Sequence, residues 1–116
     1  MTGVRTEFLN IKAVHSALKA KARELLRLNP AVIRVCLFGS LVRDDYGPGS
    51  DADLFIVLSR DSRRFIDRMP EFLIHFGGLG MDVDVFPYTL AEIEQMKEQR
   101  FLRSILEKHI VLASSS

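Results

Sequence analysis

The first residues that could do chemistry are Gly39 and Ser40, which directly follow an apolar run from Ala31 to Phe38. A strand that ends in Gly-Ser and then turns exposes free backbone N–H groups at its tip, where glycine lets a ligand approach closely. The serine hydroxyl adds one more donor. Together these groups can hold phosphate oxygens without a charged side chain, so the pair predicts a phosphate-binding seat.

A second candidate is a set of aspartates. Asp51 and Asp53 lie two residues apart on a predicted strand, so both side chains leave the same face, with α-carbons roughly 6.5–7 Å apart. Asp84 lies on the next predicted strand, where Asp82 shares its face. Three such carboxylates, with triphosphate oxygens, can hold two magnesium ions about 3.5–4 Å apart. Asp84 is a candidate for the base that accepts a proton from an attacking hydroxyl, and Asp82 competes with it for this role.

These residues need a framework of strands and helices to hold them. Hydrophobic periodicity, turn formers and capping residues predict that framework. The predicted elements are a helix over Asn10–Leu28, strands over Ala31–Phe38 and Asp51–Leu58 with a loop over Arg43–Ser50 between them, a helix over Ser62–Phe76, a strand over Met81–Phe86, a helix from Leu90 toward Lys108 and an edge strand over His109–Ala113.

Three details refine this prediction. Pro70 is expected to kink the fourth element or to start a new one, and Pro87 is expected to close the third strand. Thr89 and Glu92 have the spacing of a capping box, which should start the last helix. The fold class is therefore α+β (α/β-like), with a small mixed sheet covered by helices on one side.

Length and composition limit the possible functions. The 116 residues are expected to form one domain over 1–116 with one core, and 47% hydrophobic with 27% charged residues is typical of a folded, water-soluble protein. A net charge of +1 makes direct binding to nucleic acid unexpected. No apolar run is long enough to cross a bilayer and no signal peptide is recognisable, so we expect a cytoplasmic protein. The single cysteine, Cys36, is expected to be a buried thiol.

Arginines at positions 60, 64 and 68 fall on one predicted helical stripe. The stripe could dock an acidic partner or an RNA backbone, but we favour a solvated face because charged stripes are common on exposed helices.

The spacing of the first two motifs resembles a known family. Gly39-Ser40, ten residues, then Asp51-Ala52-Asp53 resembles the Gly-Ser-x10-Asp-x-Asp signature of minimal nucleotidyltransferases in the DNA polymerase β superfamily. The segment from Val83 to Phe86 resembles the family's third-carboxylate strand, which favours Asp84 over Asp82. Arg43 stands three residues after the serine, where the family often has an arginine that contributes to nucleotide binding.

The resemblance implies a nucleotidyltransferase fold with ATP as substrate, a pair of Mg²⁺ ions held by the three aspartates, and no accessory domain for the acceptor. Proteins of this kind are similar to the antitoxins of HEPN/MNT toxin–antitoxin pairs, in which AMP is transferred from ATP to a tyrosine of the HEPN ribonuclease toxin. The pair Asp44-Asp45 departs from the family pattern and adds negative charge near the seat. Two alternatives remain, namely an inactive antitoxin that acts by binding and a small-molecule nucleotidyltransferase.

Overall fold

The computed structural model describes residues 11–42 and 51–115. The helices are α1 (Ile11–Leu28), α2 (Phe65–His75), α3 (Leu90–Met96) and α4 (Arg100–Glu107); the strands are β1 (Val32–Phe38), β2 (Ala52–Leu58), β3 (Val83–Thr89) and β4 (Ile110–Ser114). The strands form one sheet in the order β3-β2-β1-β4, with β2 and β3 parallel and the other pairs antiparallel. The predicted α+β fold with a small mixed sheet is confirmed. Arg43 and the loop predicted over Arg43–Ser50 lie outside the described residues, as does the start of the first predicted helix.

Helices cover both faces of this sheet, so the expectation of helices on one side is wrong. From Val35 to Phe38, successive residues of β1 belong alternately to two separate cores, which explains why this strand is apolar apart from Arg34. The first core, with α1 and α2, includes Leu18, Val35, Leu37 and Phe72. The second core, with α4, includes Cys36, Phe38, Leu102 and Ile105.

The cysteine prediction is confirmed by the second core. Cys36 is buried there as a free thiol. Burial raises the pKa of the Cys36 thiol to about 11, so the side chain stays protonated at neutral pH and behaves as a small hydrophobe.

The third strand differs from its predicted bounds at both ends. It begins at Val83 instead of Met81 and continues through Pro87 to Thr89. Pro87 does not close it because β3 is an edge strand and the Pro87 carbonyl faces outward, where it accepts a hydrogen bond from Arg68 Nη1 at 3.1 Å. The N–H that proline lacks would point to the same outer side, so no bond to β2 is lost.

The last predicted helix is two helices. Thr89 and Glu92 do form the predicted capping box at its start, with hydrogen bonds of 2.9 and 3.2 Å. However, α3 ends at Met96, and Gln99 is extended with φ −73° and ψ 147° before α4 begins. Leu102 and Ile105 of α4 are then buried in the second core. Burial of these two side chains is the physical reason for the break between the helices. The segment contains no glycine or proline from which the break could have been predicted.

The helix α2 continues through Pro70, where a new segment or a kink was expected. Pro70 lies on the exposed side of the helix. There, water can bind the carbonyl of Ile66, which loses its N–H partner to the proline ring. None of the helices in residues 11–42 and 51–115 is long and apolar enough to cross a bilayer.

Arg68 is buried, with 2% of its surface exposed, so the interpretation of this stripe as a solvated face is wrong for this residue. Its guanidinium pairs with both carboxylate oxygens of Glu92, at 2.7 and 2.8 Å. It also donates to the carbonyls of Asp61, Arg63 and Pro87. These contacts fasten the segment before α2 to the end of β3 and the start of α3.

We expect replacement of Arg68 by methionine to lower the free energy of unfolding at pH 7 by about 2–3 kcal/mol, because buried acceptors lose their donor. The wild-type protein should also lose stability as the pH falls from about 4.5 toward 2. The Arg68 hydrogen bond lowers the pKa of Glu92 from its ordinary 4.5, and a hydrogen bond from Arg63 lowers the pKa of Asp61 to about 2. Carboxylates with depressed folded-state pKa values stabilise the fold above their ordinary pKa and stop doing so once protonated.

Urea denaturation between pH 2 and 7 measures both effects. Arg64→Met is the control, since Arg64 is exposed and pairs with Asp67 on the surface. The prediction would be contradicted if Arg68→Met were as stable as Arg64→Met and showed the same pH dependence of stability as the wild-type protein.

Candidate active site

The phosphate seat predicted at Gly39 and Ser40 lies directly against one of the aspartates. A short 3₁₀ turn over Gly39–Leu41 follows β1, and Gly39 has φ +83°, a conformation that favours glycine. A Cβ at Gly39 would overlap Oδ2 of Asp53 and lie 3.2 Å from its Cγ. The glycine main chain and the Asp53 carboxylate are therefore in contact distance, and the two sequence motifs meet at one place.

The register of the parallel strands brings two of the predicted carboxylates side by side. Asp53 of β2 is the partner of Asp84 of β3, and Asp53 is also the β1–β2 partner of Phe38, the residue before Gly39. Register partners on adjacent strands project their side chains from the same face. Asp53 is half-buried and Asp84 is exposed. The structure thus gathers Gly39, Asp53 and Asp84 at one end of the sheet.

Asp51 and Asp82 lie just before the strands. Asp51 directly precedes β2 and, two residues from Asp53, belongs to the same face. Asp82 precedes β3, and its backbone carbonyl accepts a hydrogen bond from Ala52 N–H at 2.9 Å. Asp84, rather than Asp82, is the direct neighbour of Asp53. The catalytic and ligand roles of all these aspartates stay predictions.

The donor set is chemically suited to a hard divalent cation. Carboxylate oxygens are the ligands that Mg²⁺ prefers, and Mg²⁺ commonly takes one or two protein carboxylates together with phosphate oxygens of its substrate. In residues 11–42 and 51–115, no group of three His, Cys, Asp or Glu side chains lies close enough to hold a metal ion by itself. The neighbouring pair Asp53 and Asp84 fits a cation that also takes oxygens from a bound phosphate chain.

An aromatic cluster that was not predicted from the sequence lies on the same face. Phe86 follows Asp84 by two residues on β3, and Phe38 precedes Gly39. Phe101 of α4 joins them, with ring centroids 5.3 Å apart for Phe38–Phe86, 5.4 Å for Phe86–Phe101 and 5.9 Å for Phe38–Phe101. The alternation of Asp84 and Phe86 along the strand could have indicated from the sequence that Phe86 lies on the same face as Asp84. The contribution of Phe101 depends on the break before α4, which the sequence did not predict.

Comparison with known proteins identifies a matching family and structurally similar proteins among the solved structures. Residues 18–112 match the family described as "Nucleotidyltransferase domain". No curated protein matches the chain. The fold is similar to the crystal structure of a putative nucleotidyltransferase from Sulfolobus solfataricus, with a TM-score of 0.61 and 24% identity over 73% of this chain and 75% of that one. At this identity the likeness shows the fold alone, whereas the family match spans most of the chain. The protein therefore belongs to the nucleotidyltransferase domain family.

Proposed function

We propose that this nucleotidyltransferase transfers AMP from ATP to a hydroxyl group, a tyrosine of a HEPN-type ribonuclease toxin, and so acts as the antitoxin of that partner in the cytoplasm. The observation that carries the enzymatic part is the packing of Gly39 against the Asp53 carboxylate, with Asp84 as its strand neighbour. This arrangement supports a phosphate-binding site at Gly39 and two candidate oxygen ligands at the same end of the sheet. The partner and its tyrosine rest on the resemblance to HEPN/MNT antitoxins.

The proposed reaction forms one bond and breaks one. The acceptor oxygen bonds to the α-phosphorus of ATP, the bond from that phosphorus to the bridging oxygen breaks, and pyrophosphate leaves. Asp84, which is exposed and next to Asp53, is the proposed acceptor of the hydroxyl proton. Asp51, Asp53 and Asp84 are the proposed protein ligands of Mg²⁺, and oxygens of the bound triphosphate would complete the ligand set that these side chains do not form by themselves. When bound, the ion would supply positive charge to the phosphate oxygens.

The main-chain seat explains how the phosphate chain could be oriented. Gly39 has no side chain between its backbone and Asp53, so phosphate oxygens bound by the turn would lie close to the carboxylates. Positioning of the reacting groups and electrostatic stabilisation supply most of the catalysis in phosphoryl transfer. Both effects require a fixed distance between the turn at Gly39 and the carboxylates of Asp53 and Asp84. The placement of these residues on or next to adjacent strands supports such a fixed distance.

The test is transfer of label from α-³²P-ATP in the presence of Mg²⁺ and a HEPN-type partner. We expect the partner to be labelled by the wild-type protein, and labelling to disappear with the double variant Asp51→Asn and Asp53→Asn. Neutralisation of the toxin by the double variant without labelling would instead favour an antitoxin that acts by binding. Label found in a small molecule and never in the partner would favour a small-molecule nucleotidyltransferase.

A further inference from the structure

We propose that Lys108 binds the phosphate chain of the nucleoside triphosphate from the side of α4, and so completes the seat at Gly39. This inference rests on the proposed function. It starts from a cavity of about 160 Å³ next to the turn after β1, with walls formed by Phe38, Gly39, Val42, Ser104 and Lys108. The same glycine that contacts the Asp53 carboxylate therefore also lines a small cavity together with the cationic residue Lys108.

The end of α4 places Lys108 at this cavity. The helix ends at Glu107, and Lys108 is extended, with φ −146° and ψ 107°, while its backbone N–H still donates to the Ser104 carbonyl at 3.2 Å. This bond ties the start of the extended segment to the last turn of the helix. The position of Lys108 at the cavity is thus set by a helix whose buried side is anchored in the second core.

Lys108 is the group in these walls that suits an anion. Phe38 and Val42 are apolar, and the Ser104 hydroxyl already donates to the Phe101 carbonyl at 2.7 Å. The Val42 N–H is likewise used, since it donates to the Gly39 carbonyl at 3.0 Å. The Lys108 ammonium, by contrast, forms no ion pair with a carboxylate in the described part of the chain, where other lysines such as Lys97 do.

Charge at this end of the sheet also favours such a role. Asp51, Asp53 and Asp84 concentrate negative charge where a multiply charged anion has to bind. Backbone N–H groups carry only partial charges, so a full positive charge in the same cavity would offset part of the repulsion. An ammonium group serves phosphates as a point charge with three donors.

Isothermal titration of the intact protein tests the inference. The probes are ATP, tripolyphosphate and adenosine, each with Mg²⁺. We expect Lys108→Met to weaken binding of ATP and tripolyphosphate by about tenfold or more, because a charge-assisted hydrogen bond is lost, and to leave adenosine binding unchanged. Lys108→Arg should retain most of the affinity because it keeps the charge.

Lys97→Met is the matched control. Lys97 follows the last residue of α3 as Lys108 follows that of α4, and it pairs with Glu94 at 2.9 Å. If Lys108 acted only by stabilising the end of its helix or by contributing to the net charge, both lysine variants would change the affinity for ATP equally. Equal effects on affinity would therefore overturn the inference. Wild-type affinity for ATP in Lys108→Met would also overturn it while leaving the proposed function intact. If the wild-type protein binds neither ATP nor tripolyphosphate, both proposals fail.

Discussion

Replacement of Asp53 by asparagine is expected to lower the rate of nucleotidyl transfer by about a hundred- to a thousandfold. The amide keeps the size of the carboxylate but removes its charge, and several kcal/mol of electrostatic stabilisation correspond to two or three powers of ten in rate. Asp84→Asn should have a similar effect because Asp84 is the register partner of Asp53. The measurement is the initial rate of AMP transfer at saturating ATP, with the thermal unfolding midpoint recorded for each variant.

Asp82→Asn provides the matched control for this experiment. It removes one carboxylate from the same segment, just before β3, whereas the contact of Asp82 with β2 is made by its backbone. We expect its transfer rate to stay within a few-fold of wild type. If Asp82→Asn were the more damaging change and Asp84→Asn were harmless, the third carboxylate would have to be reassigned to Asp82.

Gly39→Ala is expected to remove nearly all activity and to destabilise the protein. The residue has φ +83°, and an alanine in this left-handed region costs about 1–2 kcal/mol. In addition, the new methyl group would overlap Oδ2 of Asp53, so the carboxylate or the turn has to move. A shift of about 1 Å in a reacting group can cost about a hundredfold in rate.

Gly78→Ala separates these two effects. Gly78 has almost the same backbone conformation, with φ +81°, but a Cβ there would meet no atom within 4 Å. Chemical denaturation should therefore show a similar backbone penalty in both variants and an additional loss in Gly39→Ala. The transfer rate should fall only in Gly39→Ala. Equal activity of the two alanine variants would show that the close approach of Gly39 to Asp53 does not matter for the reaction.

The meeting of Gly39, Asp53 and Asp84 could be anticipated from the sequence for physical reasons. Gly39 and Asp53 stand at the end and the start of strongly apolar runs, and Asp84, which the family resemblance favoured over Asp82, alternates with valines. Alternation along a strand decides which face each side chain leaves. The register in which β2 pairs with β3 could not be predicted from the hydrophobic pattern. Register depends on contacts between strands that are far apart in the chain, and the alignment of Asp53 with Asp84 became visible only in the sheet.

The break between α3 and α4 shows why other parts were not predictable. The residues around Gln99 favour a helix locally, and the helix stops because Leu102 and Ile105 are buried in the second core. Arg68 is a similar case, since a charged residue on a helical stripe is indistinguishable in sequence from an exposed one. Its burial follows from the position of Glu92 on a different helix. Both features are set by packing between distant segments.

The outer edge of β3 has a consequence for the behaviour of the protein at high concentration. Pro87 offers no N–H there, and its carbonyl is already engaged by a buried arginine. A strand from another molecule would find neither a donor nor a free acceptor at this point of the edge, and displacing the guanidinium would leave Glu92 without its partner. The contacts of Arg68 with Pro87 and Glu92, which hold α2 and α3 to β3, therefore also oppose edge-to-edge aggregation at this point of the β3 edge.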